Sequence, residues 1–255
     1  MALLQAQHLD VSVAGIPVCR DLVLQIEPGD SWCILGRNGA GKTTLLHTLA
    51  GLHAPDRGTL TLDGTSLAAL PRKRIARHIG VLFQDHHDAF PATVLETVLT
   101  GRHPWLGPLQ WETAADLALA REALAAVDLA GLQQRNVSTL SGGERRRLGI
   151  ATLLTQDPYL LLLDEPANHL DIHQQVRMLD LLGQRAASGG RALCIVMHDL
   201  NLATRYCDRF LLLFGDGTTL QGTHDAVMTE SNLERLYRHP LRRIDHANGP
   251  LWIPA

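Results

Sequence analysis

The residues best suited to chemistry begin at Gly36-Arg37-Asn38-Gly39-Ala40-Gly41-Lys42-Thr43, which fits the spacing GxxxxGK[ST]. Glycines in such a loop let backbone N–H groups close around an anion, and the lysine adds a positive charge. A helix read over residues 42–50 and ended by Gly51 aims the positive end of its dipole at the same point. The chemistry implied is the gripping of phosphate. A second group stands where the leucines of residues 160–163 run into Asp164 and Glu165. Carboxylates at the end of a buried strand lie beside the phosphate loop in α/β folds, where Asp164 can hold magnesium through water and Glu165 can orient an attacking water. Alone, these six residues read as a core strand ending in solvent; joined to the loop they read as a site. A third group, Leu140-Ser141-Gly142-Gly143-Glu144, opens a helical stretch over residues 145–154. It reads as a capped helix start with close-approach glycines, a second place for an anion.

The elements that must hold these groups alternate in type. Residues 32–35 form a short apolar strand before the loop, and strand patterns recur at 59–62, 79–83, 160–163, 192–197 and 210–214 with helical patterns between several of them. That alternation predicts a mainly parallel sheet. Ahead of it, Leu9, Val11 and Val13, then Leu22, Leu24 and Ile26, alternate with polar or small residues on either side of Gly15-Ile16-Pro17, which predicts an antiparallel hairpin. Residues 85–155 show no strand pattern, and residues 112–127 are rich in Ala and Leu, so a helical lobe is expected inside the α/β core. Towards the end, Asp216-Gly217 marks a turn, short helices are expected at 224–228 and 232–237, and Pro240, Pro250 and Pro254 should interrupt regular structure. The expectation is a single domain: residues 1–84 and 156–255 form the core with an N-terminal antiparallel β subdomain, and residues 85–155 an inserted α-helical subdomain.

Composition narrows the function. The chain has 255 residues, 45% hydrophobic and 19% charged, enough to bury a sizeable core. Its 23 Lys and Arg against 26 Asp and Glu leave a net charge of -3, so no overall basic field exists for nucleic acid. Cys19, Cys33, Cys194 and Cys207 form no CxxC pair and read as core residues in a reducing compartment. No apolar run approaches the ~18 residues a membrane span needs, and residues 1–15 lack the basic start of a secretory signal, so the protein is expected to stay inside the cell. Apart from His198, the histidines, His86 and His87 included, converge on no metal spacing. Arg145, Arg146 and Arg147 fan over roughly 200° of a helix and are expected to form a mostly solvated face.

In these motifs and their order the chain resembles the ATP-binding cassette family, the nucleotide-hydrolysing subunits of ABC transporters. Gly36 to Thr44 resemble the Walker A loop, Gln84 the Q-loop glutamine, Leu140 to Glu144 the signature, and Leu160 to Glu165 Walker B with its catalytic glutamate. Asn168 to Asp171 fall where the D-loop lies, with Asp171 retained, and His198 looks like the switch histidine. The resemblance runs from about Leu9 to Gly222. It implies a P-loop NTPase core that binds ATP and Mg2+. Gly36, Arg37, Asn38, Gly39, Ala40, Gly41, Lys42, Thr43 and Thr44 would line the ATP site, with Thr43, Gln84 and Asp164 at the magnesium and His198 at the γ-phosphate. Ser141, Gly142 and Gly143 would face the nucleotide of an opposite subunit, with Asp171 nearby. The implied assembly is a homodimer on the cytoplasmic face of the membrane, docked on two membrane-spanning permease subunits and served by a periplasmic or surface substrate-binding protein. One departure is Val13, at the position where the family often stacks an aromatic on adenine; looser base selectivity is the expected result. Thr93-Val94-Leu95-Glu96 to Gly101-Arg102-His103-Pro104, with the ending over 232–254, resemble the importers of iron-siderophores, haem and cobalamin. On this resemblance the short ending is expected to leave no room for the regulatory domain of many sugar-importer cassettes. A different class, a soluble ABC ATPase acting on nucleic acid or in cluster assembly, is opposed by the acidic balance and the single cassette. Glu165 and His198 together speak against binding without hydrolysis.

Overall fold

The computed structural model describes residues 2–84, 91–246 and 249–255. Its first elements, β1 (Leu4–Val13) and β2 (Ile16–Ile26), pair antiparallel. The turn is Ala14-Gly15, with φ of 48° and 79°, one residue earlier than expected. Two left-handed residues give the turn a twist that matches the strands. Pro17 sits inside β2, which is tolerated because β2 is the edge of its sheet.

β3 (Ser31–Gly36) leads through the glycine loop into α1 (Lys42–Leu49). β4 (Arg57–Leu62) and β5 (Thr65–Ser66) then return to the hairpin and complete an antiparallel sheet ordered β2-β1-β4-β5. The strand at 59–62 therefore belongs to this sheet and not to the parallel alternation. Gly58 permits the pairing, because a Cβ there would lie 2.3 Å from the His8 carbonyl oxygen.

α2 (Arg72–His78) runs directly into β6 (Ile79–Leu82). Three helices follow: α3 (Val94–Leu99), α4 (Ala114–Ala126) and α5 (Gly142–Gln156). Each starts with a capping box, Thr93 with Glu96, Thr113 with Asp116 and Ser141 with Glu144, in which side chain and backbone satisfy each other at the helix entry. The chain then alternates through β7 (Leu160–Asp164), α6 (Ile172–Ala186), β8 (Ala192–Val196), α7 (Leu200–Tyr206) and β9 (Arg209–Leu213). β10 (Thr219–Thr223), α8 (His224–Val227) and α9 (Glu230–Tyr237) follow, and β11 (Leu241–Ile244) with β12 (Leu251–Pro254) close the chain. That last hairpin corrects the expectation that prolines break up the ending. Pro240 and Pro250 each precede a strand and Pro254 ends one, and a two-stranded ribbon consists only of edges, where proline is tolerated.

The second sheet is ordered β10-β9-β3-β8-β7-β6, parallel except for β10. Both of its faces are covered. Leu160 and Leu162 pack on the side of α1 and the antiparallel sheet, while Leu161 and Leu163 pack on the helical side. A strand buried on both faces reads as an unbroken apolar run, which is why residues 160–163 are all leucine. Among the described residues no helix is long and apolar enough to cross a membrane, and all four cysteines are buried.

Candidate functional site

The site stands where β3, β8 and β7 lie side by side and end together. β3 delivers the glycine loop. A Cβ on Gly41, where φ is 87°, would meet Val18 Cγ2 at 2.3 Å, so this turn into α1 admits only glycine. Lys42 is buried, and its Nζ donates to the carbonyls of Gly36 at 2.8 Å and Arg37 at 3.2 Å. Burial pushes this ammonium below its ordinary range, while Glu165 and Asp164 pull it back up.

β7 pairs with β8 so that Asp164 stands opposite Val196, and the Glu165 N–H donates to the Val196 carbonyl at 3.1 Å. Glu165 leaves the strand with φ of 51°, a left-handed conformation that costs a residue with a Cβ about 1–3 kcal/mol. Its carboxylate accepts from Gln84 Nε2 at 3.3 Å and from Asn168 Nδ2, and its Oε1 is hydrogen-bonded to His198 Nε2. Asp164 is fully buried, and neither of its carboxylate oxygens has a hydrogen-bond partner among the described residues. Burial raises this carboxyl; the nearby Thr43 hydroxyl offsets part of the rise without reaching hydrogen-bond geometry. An orphaned pair of hard oxygens beside a hydroxyl suits a small divalent cation and its water shell.

A cavity of about 540 Å³ brings together Asn38, Gly39, Gly41, Lys42, Thr43, Thr44, Gln84, Glu165 and His198, with Val13 at its edge. Arg37 and Gly36 line a neighbouring opening of about 400 Å³, shared with Asn38, His198 and Tyr237. Ser141, Gly142, Gly143 and Asp171 line neither. Ser141 caps α5, Asp171 caps α6 by accepting from Gln174 N at 2.8 Å, and a Cβ on Gly143 would lie 3.4 Å from the His169 carbonyl oxygen. The signature turn thus touches the 168–171 loop at His169, away from the cavity, whereas Asn168 at the start of that loop lines it. His86 and His87 lie outside the described residues; among those described, no three His, Cys, Asp or Glu side chains converge as a metal group.

The arginine run differs from expectation. Arg146 is buried, and its guanidinium donates to the carbonyls of Phe83 at 2.5 Å, Gln84 at 3.4 Å, Pro166 at 3.2 Å and Asp164. It therefore holds the backbone on both sides of Glu165 and at Gln84. Arg145 reaches the carbonyls of Leu140 and Ser138, and Arg147 those of Val127 and Asp128. The fan of the helix distributes the three over different loops and not into solvent. One signal was available: a solvated basic helix face usually carries acids four residues away, and here those positions are Gly149, Ile150 and Ala151. Asn168 was read only as the start of a loop motif, yet it bonds Glu165 directly.

A family profile described as ABC transporter matches residues 19–168. The hemin import ATP-binding protein HmuV of Burkholderia ambifaria is 38% identical over 274 residues, covering 99% of this chain and 100% of that protein. The ferric enterobactin transport ATP-binding protein FepC of Escherichia coli K12 is 36% identical over 258 residues, covering 100% and 94%. Among solved structures, a metal-chelate type ABC transporter in an inward-facing conformation superposes with a TM-score of 0.85 at 26% identity, covering 100% of this chain and 98% of that one.

Proposed function

Because this chain belongs to the ABC transporter family, whose ATP-binding subunits hydrolyse ATP to drive transport, we propose that it energises import of an iron-chelate, haem or cobalamin through two membrane-spanning permease subunits. The observation that carries the catalytic part is the Glu165 carboxylate, fixed by Gln84, Asn168 and His198 at the mouth of the Lys42 cradle. Residues 36–44 hold the phosphates of ATP through backbone N–H groups, and Lys42 adds its charge. Glu165 orients the attacking water, and His198 bonds the γ-phosphate from the other side. Thr43, Gln84 and Asp164 would hold Mg2+, which when bound neutralises charge on the transferred phosphoryl group. Positioning and charge stabilisation supply most of the rate in such a reaction, so a carboxylate held by several donors is well matched to it.

The cargo class is supported by relatives named for hemin import and for ferric enterobactin transport that match along nearly the whole chain. On this reading two copies pair, each placing Ser141, Gly142 and Gly143 on the ATP held by the other, with Asp171 at the junction. Residues 1–84 and 156–255 form the nucleotide core and β subdomain, and residues 85–155 the lobe facing the permease. The dimer sits on the cytoplasmic face of the membrane, and a binding protein hands cargo to the far side of the pore. The test is reconstitution with candidate metal-chelate permease subunits from the same genome. Membrane co-purification and ATP hydrolysis stimulated by that permease are expected; a soluble complex with RNA or a protein scaffold, and no stimulation, would overturn the assignment.

A further inference from the structure

The segment between α3 and α4 contains the most exposed apolar side chains of the described structure. Leu109 is 100% exposed and Trp111 84% exposed. Leu109 also has φ of 59°, the left-handed region that a γ-branched side chain with a Cβ occupies only at a steric cost. The turn Gly107-Pro108-Leu109-Gln110 is closed by the Gln110 N–H on the Gly107 carbonyl at 3.2 Å and by the Gly107 N–H on Gln110 Oε1 at 2.7 Å. With proline second and a positive φ third, it has the pattern of a type II turn, whose third position favours glycine. A leucine there is disfavoured twice, by its backbone and by its contact with water, and nothing in the described fold covers it.

The turn rests on a cationic support. Arg72, Lys73, Arg74 and Arg77 lie on α2, and residues 64–84 contain no acid, in a chain whose net charge is -3. Lys73 Nζ donates to the Leu106 carbonyl, and Arg77 Nε to the Pro104 carbonyl at 2.7 Å. Arg72 donates to the Gly51 carbonyl. Bonds to neutral carbonyls fix these side chains without cancelling their charge. Trp105 anchors the base of the segment, with Arg77 and Arg102 each 5.3 Å from its ring centroid and its Nε1 donating to the Gln156 carbonyl at 2.9 Å. Arg102 is neutralised by Asp116, Glu112 is the acid beside Trp111, and Asp63 lies 3.7 Å from His78 at the far end of α2, which leaves Lys73 and Arg77 as the cations against the segment.

We propose that the turn at Leu109 and Trp111, backed by Lys73 and Arg77 of α2, is a membrane anchor that lays both side chains into an anionic lipid surface. Indole prefers the boundary between headgroups and acyl chains, and surface cations add attraction to anionic lipid. The inference rests on the peripheral membrane location proposed above but not on the ATP site, so ATP hydrolysis by the purified chain serves as an independent control.

The test is flotation of the full purified chain with vesicles of phosphatidylcholine and phosphatidylglycerol at 70:30, against pure phosphatidylcholine. Binding to the anionic vesicles, weakened by salt, is expected, together with a blue shift of tryptophan emission. Leu109→Gly with Trp111→Ser should abolish the shift and most of the binding, while ATP hydrolysis stays unchanged. Glycine relieves the backbone at 109, so loss of binding would not reflect misfolding. Lys73→Gln should weaken binding by about fivefold. Absence of binding to anionic vesicles would overturn the proposal. So would a turn variant that binds vesicles normally but no longer assembles with the permease, since the patch would then be a protein contact.

Discussion

Arg146 shows how one side chain outside the proposed reacting groups can set their geometry. Its guanidinium bonds the carbonyls of Asp164 and Pro166, the residues flanking Glu165, and those of Phe83 and Gln84. Glu165 is held in a left-handed conformation that local preference disfavours, so its surroundings must enforce it. Arg146→Met should lower the ATP turnover number roughly 10- to 100-fold, as misplacement of a catalytic group does, with little change in the KM for ATP because Lys42 and the glycine loop are untouched. Arg146→Lys, which keeps the charge and some donors, should recover part of the loss. Steady-state kinetics of both variants decide the matter: equal losses in kcat and nucleotide affinity, or no rescue by lysine, would mark a merely structural arginine. Lys42 and Glu165 could be picked out in the sequence because phosphate chemistry dictates residue type and spacing together, whereas Gln84 stood out only through the family resemblance. The lack of acids four residues after the run signals that Arg146 is not a solvated residue, but its partners are backbone carbonyls, which leave no side-chain pattern to read.

At the scale of elements, the entry to α4 combines a capping box with an ion pair. Asp116 accepts from the Thr113 N–H at 2.9 Å and the Thr113 hydroxyl at 2.7 Å, and Arg102 Nε reaches its other oxygen at 2.7 Å. The Thr113 bonds, chiefly, and then Arg102 hold this carboxyl below the usual carboxylate range. A depressed carboxyl contributes stability that is present above its ordinary value near 3.8 and lost as the pH falls through the folded value. Asp116→Ala should therefore destabilise the protein at neutral pH, by about 0.5–2 kcal/mol for the cap, and the variant and wild-type curves should converge in acid. Urea unfolding at several pH values measures this, and parallel curves would refute it. The helical lobe itself was legible from its Ala and Leu content. The prolines near the end misled because the sequence does not show that Leu241–Ile244 and Leu251–Pro254 pair as a ribbon of edge strands, held by paired hydrogen bonds between Asn201 and the Trp252 backbone.

At the scale of the whole molecule, the placement of the signature turn argues for pairing. Gly36, Lys42, Glu165 and His198 converge within one chain, whereas Ser141, Gly142 and Gly143 cap α5 beside the 168–171 loop and reach neither opening of that site. Their backbone N–H groups at the start of a long helix suit an anion, and the proposed dimer brings them one from its second copy. Moving such a pair from 1:99 to 99:1 closed requires about 5.5 kcal/mol of differential nucleotide binding, within reach of two triphosphates each held by charge-assisted hydrogen bonds. Glu165→Gln should bind ATP, turn over at least ~100-fold more slowly, and elute as a dimer with Mg2+ and ATP. Gly142→Asp offers a selective disruption. A Cβ at position 142 meets no atom within 4 Å, so the fold should tolerate the substitution, and an acid in the first turn of a helix is favourable in itself. In the dimer, however, that carboxylate would face the phosphates bound by the partner. The double variant carrying Glu165→Gln and Gly142→Asp should bind ATP as a monomer, measured by light scattering after size exclusion alongside nucleotide titration. A double variant that still dimerises with ATP, or a Glu165→Gln chain that stays monomeric alone and with its permease, would mean that the signature turn does not close on a second copy's nucleotide.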